Sequence, residues 1–226
     1  MSLFDNVLIL VCGGSEFKAV NKGLRTQSGV LRSSNLNHKI LSLPIGINPV
    51  KKKLKLLNNQ ENIVLLIGLG GSLSPKYKVG DVLIYESCSY IKNQEKIAIK
   101  DCDQELNNCL KNILNVPIVK GITTDKLINS SIEKANLNLW GDVVDMESFA
   151  VMSHFKSVSV VRIISDNYDD NLPDLNSAIN EEGILDNLKM SIVFIKEPIK
   201  ALTLIKNALI SLKKLEKITK KISIES

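Results

Sequence analysis

The stretch GDVVDMESFAVMSHF, residues 141–155, starts as an apolar run and continues as a helical pattern, with two carboxylates at the junction. If the strand persists that far, alternation with a period of two places Asp145 and Glu147 on one side and Met146 on the other. A carboxylate at the end of a buried strand is a natural acceptor for two neighbouring hydroxyl groups, because its two oxygens match two donors. One of the carboxylates could instead cap the helix that follows.

Similar apolar runs recur along the chain and alternate with helical patterns. Seven runs rich in valine and isoleucine predict buried strands, at residues 6–12, 39–45, 62–68, 81–87, 116–122, 141–146 and 158–165. Helices are predicted near residues 15–24, 49–58, 103–114, 126–135, 147–156 and 198–221. Runs that are apolar on both faces suit a sheet covered on both sides, so the sequence predicts an α/β layered fold. Residues 1–226 show no internal repeat or linker and are expected to form one domain.

Composition argues against several classes of protein. Of the 226 residues, 44% are hydrophobic and 23% charged, as in a soluble globular protein. The apolar runs are far shorter than the roughly 20 residues that cross a bilayer, and no basic region precedes the first of them, so a cytoplasmic location is expected. The four cysteines lack CxxC spacing and the two histidines are isolated, so we expect reduced thiols and no metal site.

The net basic charge resides in the C-terminal part. Residues 196–226 contain eight lysines and three glutamates, a difference of +5 that equals the net charge of the whole chain. The preceding part is therefore neutral overall, which argues against a nucleic-acid-binding face. Between residues 198 and 222, apolar residues alternate with lysines at helical spacing. Such a helix could rest on an anionic membrane surface, or it could simply cover the sheet and expose its lysines to solvent.

Ligands in layered α/β folds bind where strands end, so the residues after each strand are informative. In CGGSEFKAV, residues 12–20, the chain passes through two glycines into a helix whose first amides could hold an anion or a water, with Glu16 facing the same space. An acid in the first turn is also common simply because it suits the helix dipole. The segment IGLGGSL, residues 67–73, lacks the third glycine of a dinucleotide fingerprint, and it is either a tight turn or a ligand loop.

Asp166 follows the last predicted strand, in VVRIISDNYDD at residues 160–170. Burial there would favour the protonated acid, which is the form that a general acid needs. An aspartate at such a position is also a usual start of a turn. Arg162 lies inside the same strand and needs a buried partner, which one of the nearby carboxylates could provide.

Taken together, the segments GLGGSL, VGDVLI, TTDKLI, VVDMESFAV and VRIISD resemble the purine nucleoside phosphorylase and nucleosidase superfamily, and the resemblance extends from about residue 6 to 212. It implies a three-layer α/β/α sandwich around a central mixed sheet. It also implies an enzyme that cleaves the bond between a purine and ribose through an oxocarbenium-like transition state, without a cofactor. A homodimer is expected on the same ground.

The resemblance assigns roles to individual positions. Asp166 matches the acid that hydrogen-bonds or protonates purine N7, and Ser165 would orient it. Glu16 matches the glutamate that positions the nucleophilic water in methylthioadenosine/S-adenosylhomocysteine nucleosidases. Glu147 matches the carboxylate that binds the ribose hydroxyls, and Met146 matches the residue packed against the sugar.

Further positions concern the base and the glycine segment. Leu127 falls where those nucleosidases stack an aromatic ring on the base, and Ile128 falls where backbone groups read its edge. Gly70 is expected to let the backbone approach the substrate. Asp145 receives no chemical role and is expected to be structural, as a partner of Arg162.

We therefore predict hydrolytic release of adenine from a 5′-substituted adenosine. Phosphorylases of the superfamily hold phosphate with arginines and a Ser or Thr in the glycine loop, where this chain has Leu69. Arg25 and Arg32 are the available substitutes, and inorganic phosphate would be a co-substrate only in that case.

Two alternatives stay open. The segments VDMESFAV, ISDNYDDNLP and KEPIKALTLIKNALISLKKL are similar to hopanoid-associated phosphorylases, which release adenine from an adenosine-linked lipid and would suit a basic, membrane-contacting tail. A nucleoside-binding protein with little catalysis is the other alternative, because Leu127 and Leu69 replace the expected ligand-contacting residue types.

Overall fold

The structure is a computed structural model that describes residues 7–25, 39–57 and 63–225. The described residues form strands and α-helices in alternation, with a short 3₁₀ turn at Asn176–Ala178. The strands are β1 (Leu8–Cys12), β2 (Lys39–Leu43), β3 (Ile63–Ser72), β4 (Val82–Lys92), β5 (Glu95–Asp101), β6 (Ile118–Thr124), β7 (Val143–Asp145) and β8 (Ser157–Asp166). The helices are α1 (Ser15–Arg25), α2 (Ile47–Leu54), α3 (Gln104–Leu114), α4 (Ser131–Leu137), α5 (Ser148–His154), α6 (Asn187–Lys196) and α7 (Pro198–Glu225).

The strands make one mixed sheet in the order β2-β1-β3-β7-β6-β4-β5. Strand β8 lies outside this order because it pairs with two strands, parallel to β3 and antiparallel to β4. Strands β3, β7, β6, β4 and β8 therefore close into a ring. The mixed sheet was predicted, whereas its closure was not.

Helices cover the sheet on both faces. On one face α1, α3 and α7 pack through apolar residues such as Val20, Leu110 and Leu215. On the other face α2 and α5 pack through residues such as Val50 and Val151. The predicted α/β/α sandwich around a mixed sheet is confirmed. Burial of these apolar side chains on both faces is the main favourable term in the stability of such a fold.

Each predicted strand is present, and the differences lie at the surface. Strand β5 was missed because EKIAIKD is largely exposed and carries charges along an edge, so it lacks the apolar run of a buried strand. The predicted helix at 126–135 was wrong at its start: α4 begins at Ser131, and the Ser130 hydroxyl accepts the Glu133 N–H at 3.1 Å as its cap. Residues 6, 58 and 62 of the predicted elements lie outside the described residues.

Helix α7 has two halves with different surroundings. Its C-terminal half covers the sheet, with Leu215, Ile218 and Ile222 buried. Its first half continues from α6 over the surface, where Leu202 is 69% exposed. The sheet-covering alternative therefore holds for the second half and for part of the first half, where Ser211 is buried and its hydroxyl donates to the Ile164 carbonyl of β8 at 2.6 Å. Among the helices of the described residues, none is long and apolar enough to span a membrane.

Candidate active site

Arg162 is the centre of the site and is fully buried in the middle of β8. Its Nε donates to Asp145 Oδ2 at 3.0 Å, and its Nη2 lies 3.4 Å from Glu147 Oε2. The predicted pairing of Arg162 with Asp145 is confirmed. One guanidinium thus compensates two buried carboxylates, which would otherwise be too costly to leave charged.

Asp145 serves the structure around it. Its side chain accepts hydrogen bonds from the hydroxyls of Thr123 at 2.8 Å and Tyr85 at 3.1 Å. It also accepts the Ser148 N–H at 3.0 Å, so the capping alternative holds for this carboxylate. Burial works to raise the pKa of Asp145, but Arg162 and these hydrogen bonds outweigh burial and hold the pKa below its usual range. Asp145 is therefore a permanently charged anchor for Arg162.

Glu147 lies two residues after Asp145 and also pairs with Arg162. It is buried, and its Oε1 accepts the Gly46 N–H at 3.1 Å. Burial raises the pKa of Glu147, and neighbouring Asp145 adds to the rise, while Arg162 opposes it. Next to it, the half-buried Met146 lines a cavity of about 570 Å³. Glu147 does not line this cavity, and contact of Glu147 or Met146 with a sugar stays a prediction.

Glu16 lies in the first turn of α1 and lines a second cavity of about 1040 Å³. Its Oε2 accepts the Leu69 N–H at 2.9 Å, which ties α1 to the glycine segment of β3. Burial raises the pKa of Glu16 to about 7, although Arg162 and the Leu69 N–H work against the rise. A carboxylate with a pKa near 7 can accept a proton at neutral pH.

Gly68 shows that Glu16 and Arg162 converge on one point. A Cβ at Gly68 would overlap Glu16 Oε2 and would lie 2.6 Å from Arg162 Nη1. Arg162 Nη1 is buried and has no hydrogen-bond partner among the described residues. A donor without a partner beside a carboxylate oxygen is an arrangement that can hold a water. The sequence indicated that Arg162 needed a partner, but it did not reveal this second face of the guanidinium.

Asp166 ends β8 beside the same glycine segment. The Ser165 hydroxyl lies 2.8 Å from Asp166 Oδ1 and 3.2 Å from the Gly70 carbonyl, and it can donate to either one. A Cβ at Gly71 would lie 2.9 Å from Asp166 Oδ2, so the close approach of this carboxylate requires a glycine. Ser165 therefore contacts Asp166 as predicted.

Lys134 is the residue that sequence reasoning missed at Asp166. Its side chain is fully buried, and Nζ lies 2.5 Å from Asp166 Oδ2. No pattern in the sequence marks Lys134, because its partners are a carboxylate and two backbone carbonyls that lie far from it along the chain. Asp166 itself is 5% exposed and lines neither of the two cavities above.

The residues predicted to contact the base lie at the start of the loop before α4. Leu127 is half-buried, and both of its backbone groups are bonded to Asn176: its N–H donates at 2.8 Å and its carbonyl accepts at 3.0 Å. Ile128 is buried and packs beside Leu137 and Ile122. Contact of Leu127 or Ile128 with a base stays a prediction.

Gly70 has a structural reason to be a glycine. A Cβ there would lie 2.9 Å from Val143 Cγ1, because β7 packs closely on β3 at this point. Its predicted contact with substrate stays a prediction.

The two arginines considered for phosphate binding do not strengthen the phosphorylase alternative. Arg25 is the last residue of α1, roughly 13 Å along the helix from Glu16, and Arg32 lies outside the described residues.

A crossing segment lies between the two cavities. The Ile45 N–H donates to the Gly183 carbonyl at 2.8 Å, which brings the loop before α6 onto the start of α2. Ile45, Pro49 and Lys52 line both cavities. The two cavities therefore adjoin.

Glu16, Glu147 and Asp166 all gather around the end of β3. Glu16 lies against Gly68, and Asp166 lies against Gly71, three residues further along the strand. Because successive residues of a strand face opposite sides of the sheet, the two acids approach β3 from opposite sides. The strand exits singled out in the sequence thus meet at one end of the sheet.

Solved structures with this architecture include several nucleosidases. The 5′-methylthioadenosine/S-adenosylhomocysteine nucleosidase of Helicobacter pylori aligns at a TM-score of 0.61 and 19% identity, over 94% of this chain and 96% of that chain. The fold is that of these nucleosidases. Futalosine hydrolase of Helicobacter pylori gives a TM-score of 0.61 at 19% identity, over 94% and 96% of the two chains. The corresponding nucleosidase of Neisseria meningitidis gives 0.61 at 17% identity, over 95% and 98%.

No protein-family model and no curated protein sequence matches the chain. The structural likeness therefore establishes the fold, and the function has to be argued from the site.

Proposed function

We propose that the chain is a purine nucleosidase that releases adenine from a 5′-substituted adenosine by hydrolysis. The observation that carries the proposal is the convergence of Glu16 Oε2 and Arg162 Nη1 at Gly68, at the same end of the sheet as the buried acid Asp166. Hydrolysis of an N-glycosidic bond needs a base for water on one side of the sugar and an acid for the leaving group on the other.

Glu16 and Arg162 prepare the nucleophile. Arg162 Nη1 donates to the oxygen of a water, and Glu16 accepts one of its protons as the water attacks C1′ of the ribose. Because the pKa of Glu16 is about 7, its carboxylate can accept a proton at neutral pH. Below that pH the carboxylate is only partly ionised. The fixed pair Arg162–Asp145 holds the guanidinium in place without rearrangement.

Glu147 binds the ribose and Asp166 serves the base. The Glu147 carboxylate accepts the ribose hydroxyls and favours the positive charge that develops on the sugar. Asp166 delivers a proton to purine N7, so that adenine leaves as a neutral molecule, and the Ser165 hydroxyl orients it from Oδ1. A positioned acid of this kind contributes typically about 10²- to 10⁴-fold.

The cavities favour a nucleoside with a bulky 5′ group. Solved neighbours of the same fold hold 5′-methylthioadenosine or an inhibitor with an alkylthio group. In this chain the larger cavity beside Glu16 is lined by residues such as Leu56, Leu185 and Leu212, which suits an apolar 5′ substituent. An adenosine-linked lipid is the second candidate substrate, because this cavity adjoins α6 through Asn187 and Met190.

The proposal is tested by adenine release across a panel of adenosine derivatives, from adenosine through methylthioadenosine and S-adenosylhomocysteine to adenosine with a long alkyl 5′ group. We expect turnover of the 5′-substituted members and a loss of about 10²-fold or more in Asp166→Asn. Tight binding of the whole panel without adenine release over hours would instead identify a nucleoside-binding protein. Turnover by Asp166→Asn at the wild-type rate would refute the role of Asp166.

We also propose that α6 and the first half of α7 contact an anionic membrane surface. Leu188 and Ile195 are each 79% exposed, and Ile199 is 80% exposed. Helix α6 has no buried residue. Exposed apolar groups of this density, interspersed with Lys189 and Lys200, suit an anionic lipid surface.

We propose that the homodimer expected from the resemblance forms through a different surface, where Leu139 is 85% and Ile132 75% exposed. A crossed pair of variants tests both surfaces. Leu188→Glu is expected to lose sedimentation with anionic vesicles and to keep its oligomeric state, whereas Leu139→Glu is expected to do the reverse. Dissociation of Leu188→Glu to monomers would show that a second copy, not lipid, covers α6.

For the cellular location of the protein, we propose the cytoplasm, in keeping with four free thiols.

A further inference from the structure

Lys134 occupies an unusual place for a lysine. Its side chain is fully buried under α4, and Nζ donates to the backbone carbonyls of Asn167 at 2.5 Å and Asp170 at 3.3 Å. The third neighbour is Asp166 Oδ2, at 2.5 Å. An ammonium has three donors, and these three acceptors surround it. Burying this charge costs far more than burying a leucine of similar size, so its retention calls for a reason beyond packing.

The two oxygens of Asp166 have different surroundings. Oδ1 is within hydrogen-bond distance of the Ser165 hydroxyl. Oδ2 is buried and has no hydrogen-bond partner among the described residues, because Lys134 meets it at ion-pair distance but outside hydrogen-bond angles. The ammonium of Lys134, 2.5 Å from Oδ2, is therefore the source of protons adjacent to the carboxyl of Asp166.

We propose that Lys134 is a positioning residue that also supplies the proton which Asp166 delivers to the leaving base. The inference rests on the proposed function. As the bond from C1′ to the purine breaks, its electron pair goes to the base, and one proton passes along the pair: Asp166 Oδ2 takes it from the Lys134 ammonium and gives it to purine N7. Asp166 is again a carboxylate after the transfer, and Lys134 is a neutral amine that regains a proton from solvent after the products leave.

Two substitutions separate the supply of a proton by Lys134 from its hydrogen bonds to the loop at Asn167 and Asp170. Lys134→Met removes both the charge and the donors. Lys134→Gln keeps two N–H donors for the carbonyls of Asn167 and Asp170 but has no proton to give. The matched control is Lys126→Met, which removes an exposed lysine that pairs with Glu133 of the same helix at 2.5 Å.

The readout is the rate on glycosides of one sugar that differ in the leaving group, from adenine through halogenated adenines to nitrophenol. For both Lys134 variants we expect kcat on the adenine substrate to fall about 10- to 100-fold with KM within about threefold, because the acid step is impaired. The loss should shrink as the leaving group becomes more acidic and vanish for nitrophenol, which departs without a proton. Lys126→Met should match the wild type throughout.

Several results would overturn the inference. An equal loss of rate on every leaving group would assign Lys134 a purely structural role. Wild-type rates in Lys134→Gln would show that hydrogen bonds to the carbonyls of Asn167 and Asp170 are sufficient for activity. If Lys134→Met does not fold, Lys134→Gln alone decides. A wild-type chain that cleaves no member of the panel would refute the proposed function itself, which distinguishes that failure from failure of the Lys134 role.

Discussion

Arg162 and Glu16 show how a few buried charges define the chemistry of the site at the scale of single residues. Asp145 and Glu147 are paired with Arg162, and the remaining Nη1 group points to Glu16. The pKa of Glu16 is high because burial outweighs the attraction of the guanidinium. The site therefore has one carboxylate that stays ionised, Asp145, and one that changes charge near neutral pH.

Glu16 should control the pH dependence of the reaction. A general base acts only when deprotonated, so kcat/KM should rise with pH through about 7, the pKa of Glu16. Glu16→Gln should lose about 10²-fold or more in rate and should lose this limb of the profile. The control is Glu105→Gln, since Glu105 is likewise a first-turn acid of a helix but lines neither cavity at the site. A limb near the ordinary glutamate pKa of about 4.3 would contradict the base role.

Some residue-scale features were predictable and others were not. The need of Arg162 for a partner followed from its place in an apolar strand, and Asp145 was the nearby acid that had no chemical role assigned to it. Lys134 and Asn176 were hidden because their partners are a carboxylate and backbone groups distant in sequence. A side chain that bonds backbone carbonyls leaves no pattern in the sequence, whereas an apolar strand does.

At the scale of elements, β3 lies at the centre of the site, because its glycines leave space for Glu16 and Asp166 to approach from both sides. Gly71→Ala would bring a Cβ to 2.9 Å from Asp166 Oδ2 and 3.2 Å from Val144 Cγ1. We expect a displaced carboxylate and a kcat about 10- to 100-fold lower, with the melting temperature little changed in a thermal scan. Retention of full activity would show that the position of Asp166 is not constrained by β3.

Helix α1 packs on α7 through a glycine, and this contact links the site to the C-terminal helix. A Cβ at Gly23 would lie 2.6 Å from the Glu216 carbonyl and 2.9 Å from Thr219 Cβ. Gly23→Ala would gain about 1 kcal/mol in helix propensity but lose more to overpacking, so we expect a net loss of about 1–2 kcal/mol in unfolding free energy. Urea denaturation measures it.

The control for this prediction is Gly13→Ala, whose Cβ would meet the Leu43 carbonyl at an ordinary 3.6 Å. A stabilised Gly23→Ala would mean that α1 and α7 are less closely packed than the structure indicates.

The elements that sequence patterns missed share one physical property. Strand β5 and helix α6 bury almost nothing, so neither carries the apolar periodicity on which prediction depends. The buried strands and the helices on both faces were predictable for the opposite reason. The predicted start of α4 was wrong because a local hydrogen bond, the cap at Ser130, determines where this helix begins. Hydrophobic spacing does not determine it.

At the scale of the whole molecule, the sheet brings together strand ends that lie far apart in the sequence. Strand β8 pairs with β3 on one side and β4 on the other, so Asp166, Arg162 and the glycine segment adjoin. The layered order of strands and helices was predictable from alternation, but the ring closure was not, since pairing partners distant in sequence leave no local signal. The fold is shared with known nucleosidases, and the chemistry depends on the residues this ring collects.

The sugar product shows whether water or phosphate is the nucleophile. The measurement is the identity of the sugar product from the best 5′-substituted adenosine, with and without inorganic phosphate. Because Glu16 and Arg162 are arranged around space for a water and no arginine cluster faces it within the described residues, we predict a free reducing sugar and adenine at a rate independent of phosphate. A sugar 1-phosphate that forms only when phosphate is present would contradict the account.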